Sequence, residues 1–206
     1  MRKKISIIDY RVGNIKSIIN SVSFFDVETN LTSDAKEIEN SDAIILPGVG
    51  SYAHGMGNLK KLELDKVILN YANSQKPIMG ICLGMQLLME ESEEFGKTKG
   101  LGLIKGKVKK IKCNKGHSIP HIGWEEVNFN DRENPSNGQD FFFCHSYVAI
   151  PTHQEQVLAT SIYGGNKFCS VVGEKNIVGF QFHPEKSGPN GLYLVKQFIN
   201  SVNKEV

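Results

Sequence analysis

The stretch Pro77-Ile78-Met79-Gly80-Ile81-Cys82-Leu83-Gly84-Met85-Gln86 constrains the fold more than any other part of this 206-residue chain. A short apolar run ends at a cysteine set between two glycines, and a helix-forming run follows. That order predicts a buried strand turning sharply into a helix at the cysteine. Flanking glycines fit because such a turn leaves no room for neighbouring side chains, and its central residue often holds a strained backbone. The same grammar recurs upstream. Ile5, Ile7 and Ile8 read as a strand ending at Asp9, with Gly13 in the turn. Asn14 is the candidate N-cap of a helix carrying Ile15, Ile18, Ile19, Val22 and Phe25. Ala43–Leu46 reads as another strand, stopped by Pro47-Gly48 and followed by a helix with Leu59, Leu62 and Tyr71 inward. After Cys82 the helical stretch runs over 83–89. Strand, turn and helix repeated in this way predict a parallel sheet covered by helices on both faces.

Beyond Gly100 the pattern changes. Residues 105–112, 124–129, 141–150 and 157–163 read as β-segments, and Glu174-Lys175-Asn176 as a hairpin turn. The return strand, 177–182, runs into His183-Pro184-Glu185, and a last helix over 192–202 carries Leu192, Val195, Phe198, Ile199 and Val202. Residues 130–139 form a polar loop. The expected fold class is α/β, a mixed and mostly parallel sheet with helices on both faces and an added β-rich second half, in one domain over 1–206.

Charge and composition exclude several function classes. With 24 basic and 22 acidic residues the formal charge is +2, no basis for a nucleic-acid surface. No apolar run reaches membrane-spanning length, and the apolar stretch before Asp9 is too short for a signal peptide. The four cysteines form no CxxC pair. The expectation is a cytoplasmic chain with reduced thiols and with no membrane or nucleic-acid partner.

A cysteine at the amino end of a helix meets orphan amides and a positive dipole end, which suits a nucleophilic sulfur. A nucleophile needs a base, and the base needs an orienting group. His183 and Glu185, two apart in an extended segment, face the same way and supply both. Pro47-Gly48-Val49-Gly50, at the carboxyl end of a parallel strand, can turn backbone amides toward a developing oxyanion. Each motif alone has a bland reading: a buried structural cysteine, an exposed ion pair at a strand end, and a plain turn or phosphate loop.

These motifs occur with Ile8-Asp9-Tyr10, Gly13-Asn14, Gly100-Leu101-Gly102-Leu103, Pro120-His121-Ile122-Gly123-Trp124, His145-Ser146-Tyr147 and Phe182-His183-Pro184-Glu185-Lys186-Ser187. In that order, over nearly the whole chain, they resemble the class I (triad) glutamine amidotransferases. Within that class they resemble the glutaminase subunits of imidazole glycerol phosphate synthase. The resemblance implies that Cys82 attacks the side-chain amide of L-glutamine while His183, held by Glu185, moves the proton. Val49, Gly50 and the Leu83 amide would form the oxyanion hole, on a loop that switches when the partner is occupied. Gln86, His145, Ser146 and Tyr147 would hold glutamine, without any cofactor or metal. Asn14, Pro120, Trp124 and Lys186 would face a (β/α)8-barrel cyclase, through which ammonia travels to close an imidazole ring.

Two positions depart from the family pattern, Arg11 in place of glycine and Glu125 in place of asparagine. Both lie in stretches that the resemblance places near the partner or the coupling path and not in the triad, so they bear on partner identity. The alternative is a paralogous subunit supplying ammonia for amidino-sugar synthesis. A cysteine peptidase or chaperone-like hydrolase shares the cysteine elbow but not the late His-x-Glu, and a pure binding module would have lost a triad member. Cys113, His117 and His121 have the spacing of a helical metal face, but Gly116 and Pro120 interrupt any such helix. Cys113, Cys144 and Cys169 read as packing, with Cys144 in the core and facing away from His145.

Overall fold

The computed structural model describes residues 2–202. Nine strands form one sheet in the order β2 (Val27–Thr32), β1 (Lys3–Ile8), β3 (Ala43–Leu46), β4 (Ile78–Ile81), β13 (Ile177–Phe180), β12 (Asn166–Glu174), β11 (Val157–Tyr163), β8 (His121–Phe129) and β9 (Gln139–His145). The first five are parallel to their neighbours and the rest pair antiparallel. β3 and β4 are buried at every position, which is why they read as uninterrupted apolar runs. A second sheet has the order β10 (Tyr147–Pro151), β7 (Ile104–Lys110), β5 (Met89–Ser92) and β6 (Thr98–Lys99).

Period-two alternation divides the parallel strands between two cores. Ile5, Ile7, Ala43, Ile45 and Met79 face α1 (Ile15–Val22) and α6 (Gly188–Ser201). Ile8, Ile44, Leu46 and Ile78 face α2 (Ala35–Glu39), α3 (Tyr52–Lys61), α4 (Leu64–Asn73) and α5 (Leu83–Leu87). The doubly covered mixed sheet and its β-rich second half agree with the sequence expectation.

Several boundaries differ. The single helix expected to carry Leu59, Leu62 and Tyr71 is two, because Glu63 takes a left-handed φ of 56°. The helix after Cys82 stops at Leu87, since Met89 already pairs with Ile104 in the second sheet. Segment 141–150 is not one strand but β9 and β10, in different sheets, with the crossing at Ser146, whose carbonyl accepts from Ile111 N–H at 2.9 Å. Strand β2 and helix α2 were not expected at all. The last helix starts at Gly188 and buries Leu194, Val195, Phe198 and Ile199, leaving Leu192 and Val202 on its half-buried flanks. Asn14 sits at the N-cap of α1 without a side-chain capping bond.

Candidate active site

Strands β4 and β13 lie side by side in parallel, Ile81 opposite Phe180, so the chain leaves both at one sheet edge. Cys82 follows directly, its amide donating to Phe180 O at 2.7 Å. Its φ of 52° and ψ of −107° lie where only glycine rests comfortably, a strain of about 1–3 kcal/mol that native packing must hold. The flanking glycines are required by close backbone approach. A Cβ on Gly80 would sit 2.8 Å from Met85 N, and one on Gly84 would overlap the Leu46 carbonyl. The elbow is therefore wedged between the end of β3 and the first turn of α5.

His183 reaches the sulfur from β13. Its amide donates to Phe142 O at 2.9 Å, and its ring Nδ1 meets Glu185 Oε1 at 2.8 Å. Facing a carboxylate, Nδ1 carries the hydrogen and donates it, which leaves Nε2 for Cys82. The two side chains are 3% and 1% exposed. His183 is extended, as expected, but Pro184–Lys186 forms a 3-10 turn, so Glu185 returns to the ring through the turn and not along a strand. Burial would lower the His183 pKa. Hydrogen bonding to Cys82 and then to Glu185 outweighs it and pushes the imidazole up to about 10. The arrangement thus favours an imidazolium beside the sulfur, the protonation state from which a thiolate can attack and a leaving group can be protonated.

Two further groups approach the sulfur. Cys82 Sγ–H lies 3.7 Å from Cys144 O, and Gln181 Nε2 lies 3.8 Å from Sγ as a donor. Gln181 is fully buried, and its Oε1 accepts from Gln86 Nε2 at 3.0 Å. Sequence reasoning gave Gln181 no role. The available signal was a lone amide between Phe180 and Phe182 at the end of an otherwise apolar strand, a position that must find a buried partner.

The Pro47-Gly48-Val49-Gly50 loop lies against the start of α5. A Cβ on Gly48 would stand 2.7 Å from Leu83 Cβ and 2.8 Å from Gly84 N. Buried Tyr10 donates its hydroxyl to Pro47 O, and burial, with Cys82 nearby, pushes the phenol pKa up. Gly50 has φ 99° and Val49 is 41% exposed. Leu83 N–H, first in α5, has no partner within the helix. Past the loop, Tyr52 N–H donates to buried Glu94 Oε2 at 2.6 Å, which pins the start of α3.

Residues 6–202 match the family model described as Glutamine amidotransferase class-I. The chain belongs to this family. A Lactococcus lactis protein named imidazole glycerol phosphate synthase subunit HisH is 42% identical, over 97% of this chain and all of the relative. A Legionella pneumophila protein named imidazole glycerol phosphate synthase subunit HisH 1 is 39% identical, over 95% of this chain and 98% of the relative. Among solved structures, one described as glutamine amidotransferase superposes with a TM-score of 0.75 at 15% identity, covering 95% of this chain and 98% of that one. PurLQS from Thermotoga maritima superposes with a TM-score of 0.76 at 19% identity, covering 98% and 100%. At these identities the two structures attest the fold alone.

The remaining residues expected to matter in this amidotransferase fall into two groups. Gln86 N–H donates to Cys82 O, and His145, Ser146 and Tyr147 follow Cys144, whose carbonyl faces the Cys82 sulfur, but two of these side chains are already engaged. Gln86 Nε2 donates to both Tyr147 O, at 2.9 Å, and Gln181. His145 is buried, with Nδ1 3.0 Å from Tyr147 O and Nε2 3.2 Å from His121 Nδ1. Trp124 and Lys186, both exposed, each lie against Phe142. Trp124 packs edge-on to Phe142 at 6.0 Å, and Lys186 Nζ lies 5.7 Å from that ring's centroid. Phe142 is itself 6.4 Å from the His183 ring. Asn14 lies beside the 47–50 loop, because Gly13 abuts Pro47. Pro120 is exposed and follows a cis peptide bond.

Cys144 corrects an expectation. It is exposed, and its neighbour His145 is the buried one. The alternation was right and the face was wrong, because Phe143 and His145 stack into the aromatic cluster around His121. Cys113 is half-exposed with Sγ 3.5 Å from His117 O, while Cys169 is buried, which pushes its thiol up to about 12.

Proposed function

We propose that this chain, as one domain over 1–206, is the glutamine-hydrolysing subunit of an imidazole glycerol phosphate synthase. The Cys82 thiolate adds to the amide carbon of L-glutamine, and the oxyanion is met by the amide of Leu83 and those of the Val49-Gly50 turn. His183 Nε2–H protonates the departing nitrogen, ammonia leaves, and a glutamyl thioester remains on Cys82. A water then gives its proton to His183 and attacks the thioester, releasing glutamate and restoring the thiolate. Glu185 keeps the hydrogen on Nδ1 so that Nε2 faces the reaction throughout. Gln181, donating to sulfur, supports the thiolate.

The observation that carries this reading is the strained Cys82 elbow facing the His183–Glu185 pair, in a chain whose near-full-length relatives bear that synthase subunit name. Those names do not favour the amidino-sugar alternative. We assign the surface of Trp124, Lys186, Asn14 and Pro120 to a (β/α)8 cyclase subunit that takes the ammonia, and the cytoplasm as the site of action. No described helix is long and apolar enough to cross a membrane. The test is glutamate formation from glutamine by the chain alone, with the cyclase, and with the cyclase plus its phosphoribulosyl nucleotide ligand. Slow turnover alone and strong stimulation in the ternary mixture support the proposal. No glutamate in any mixture refutes it.

A further inference from the structure

His121, Gly123 and Glu125 share the inward face of β8, and Gly123, with no side chain, leaves the way clear between the other two. Glu125 Oε1 stands 3.5 Å from His121 Nε2. That nitrogen is buried and has no hydrogen-bond partner, an orphan that needs an explanation. The rest of the ring is fixed. It stacks on Tyr163 at 3.9 Å and on Phe143 at 5.2 Å, so it cannot swing out to solvent.

The tautomers follow from one fixed end. Tyr147 O can only accept, so His145 Nδ1, 3.0 Å away, must donate. Neutral His145 then has a lone pair on Nε2, and His121 Nδ1, at 3.2 Å, must donate to it. Neutral His121 is left with a lone pair on Nε2, 3.5 Å from Glu125 Oε1. Two lone pairs at that distance, one on a buried ring and one on a half-buried carboxyl, repel, and a single proton between them completes the chain.

We propose that Glu125 and His121 share one proton at neutral pH. Glu125 is thereby a positioning residue that orders a donor chain through His121 and His145 to the Tyr147 carbonyl. That carbonyl also accepts from Gln86 Nε2, and the Gln86 amide donates to Cys82 O. The proton resides on Glu125. Burial and the Asp140 carboxylate push that carboxyl up, while His117 opposes them. Burial holds His121 down at about 4, and burial with His121 and then His183 nearby holds His145 down at about 3. The groups facing the chain are therefore Asp140 and His117 beside Glu125, Tyr163 beside His121, and His183 beside His145. The proposal deepens the glutaminase reading only by naming what holds the substrate wall. The proton itself does not depend on that reading.

The test has two arms. In the chain alone, ¹⁵N and ¹³C spectra follow the imidazoles of His121 and His145 and the Glu125 carboxyl between pH 4 and 9. The expected result is a hydrogen-bonded His121 Nε2 at pH 7 that becomes a free lone pair only as Glu125 ionises, at a pH above the ordinary glutamate range. Glu125→Gln, which donates without titrating, keeps that signal flat at every pH above the His121 value of about 4. An ordinary acidic midpoint for Glu125 with a free His121 Nε2 at pH 7 overturns the proposal, whatever the enzyme does. In the complex, Glu125→Leu raises the KM for glutamine by roughly five- to tenfold with little change in kcat, the effect of one buried acceptor losing its donor, and Glu125→Gln restores it. Equal KM values for Leu and Gln variants overturn the positioning role. Absence of glutamine turnover in the unaltered complex would instead refute the proposed function and leave the spectroscopic arm standing.

Discussion

Three glycines of α3 and α5 form a graded steric series, and Gly84→Ala is its sharpest member. A Cβ on Gly84 overlaps the Leu46 carbonyl oxygen and lies 2.8 Å from its carbon and 3.1 Å from Pro47 O. All three atoms are backbone, at the end of β3 and the start of the 47–50 loop, so no side chain can yield. The Leu46 oxygen stands 1.8 Å from that Cβ, so restoring contacts of about 3.5 Å requires α5 and that loop to part by more than about 1 Å. Leu83 N–H and the Cys82 elbow move with α5. A misplacement of that size is worth about a hundredfold in kcat/KM, and overpacking costs about 1–3 kcal/mol of stability. A Cβ on Gly55 meets only the flexible ends of Leu83 and Leu87, at 3.2 and 3.3 Å, and Gly55→Ala is expected to be mild in both measures. A Cβ on Gly57 meets nothing within 4 Å, and Gly57→Ala should stabilise α3 by up to about 1 kcal/mol. Glutamate release in the complex and urea denaturation of each variant supply the two axes. Gly84→Ala with unaltered kcat/KM, or a series out of this order, would refute the claim that the wedged elbow holds the site together.

Glu94→Ala should lower stability by about 1–2 kcal/mol in urea denaturation, because it removes the acceptor that caps Tyr52 N–H at the start of α3; an unchanged midpoint would contradict this role. The His183 pKa, raised to about 10 by Cys82 and Glu185 against burial, makes a pH-dependent contribution to stability. That contribution is full below the ordinary histidine value of about 6.5 and disappears as pH rises through the folded-state value. The stability difference between the unaltered chain and His183→Gln is therefore expected to be largest near pH 6 and to shrink toward pH 10. A difference that grows with pH would reverse the assigned charge state.

Much of this was legible in the sequence for a simple reason. Strands β1, β3 and β4 are buried on both faces or nearly so, and such strands are written as short apolar runs between glycines and helices. Strand β2 is an edge strand paired only to β1, and Val27-Glu28-Thr29-Asn30-Leu31-Thr32 carries no continuous apolar run, so it escaped notice. The break at Glu63 was invisible because a non-glycine left-handed residue has no local signature. In β9, aromatic residues occupy both parities, Phe141 and Phe143 on one and Phe142 on the other. Pattern alone could not choose a face, and Cys144 was assigned to the wrong one. Cys82, His183 and Glu185 stood out because the proposed nucleophile, base and orienter each need a particular residue at a particular turn. Gln181 and Glu125 act through side-chain partners distant in sequence, and such partners appear only when the strands are assembled.

The central claim is that Cys82 alone opens the glutamine amide and that the ammonia is used by a separate subunit. Cys82→Ala in the reconstituted complex tests it most directly, with glutamine-dependent and ammonium-dependent product formation measured side by side. The account predicts loss of the glutamine-dependent activity with the ammonium-dependent activity retained. Glutamine-dependent turnover that survives the substitution would contradict it.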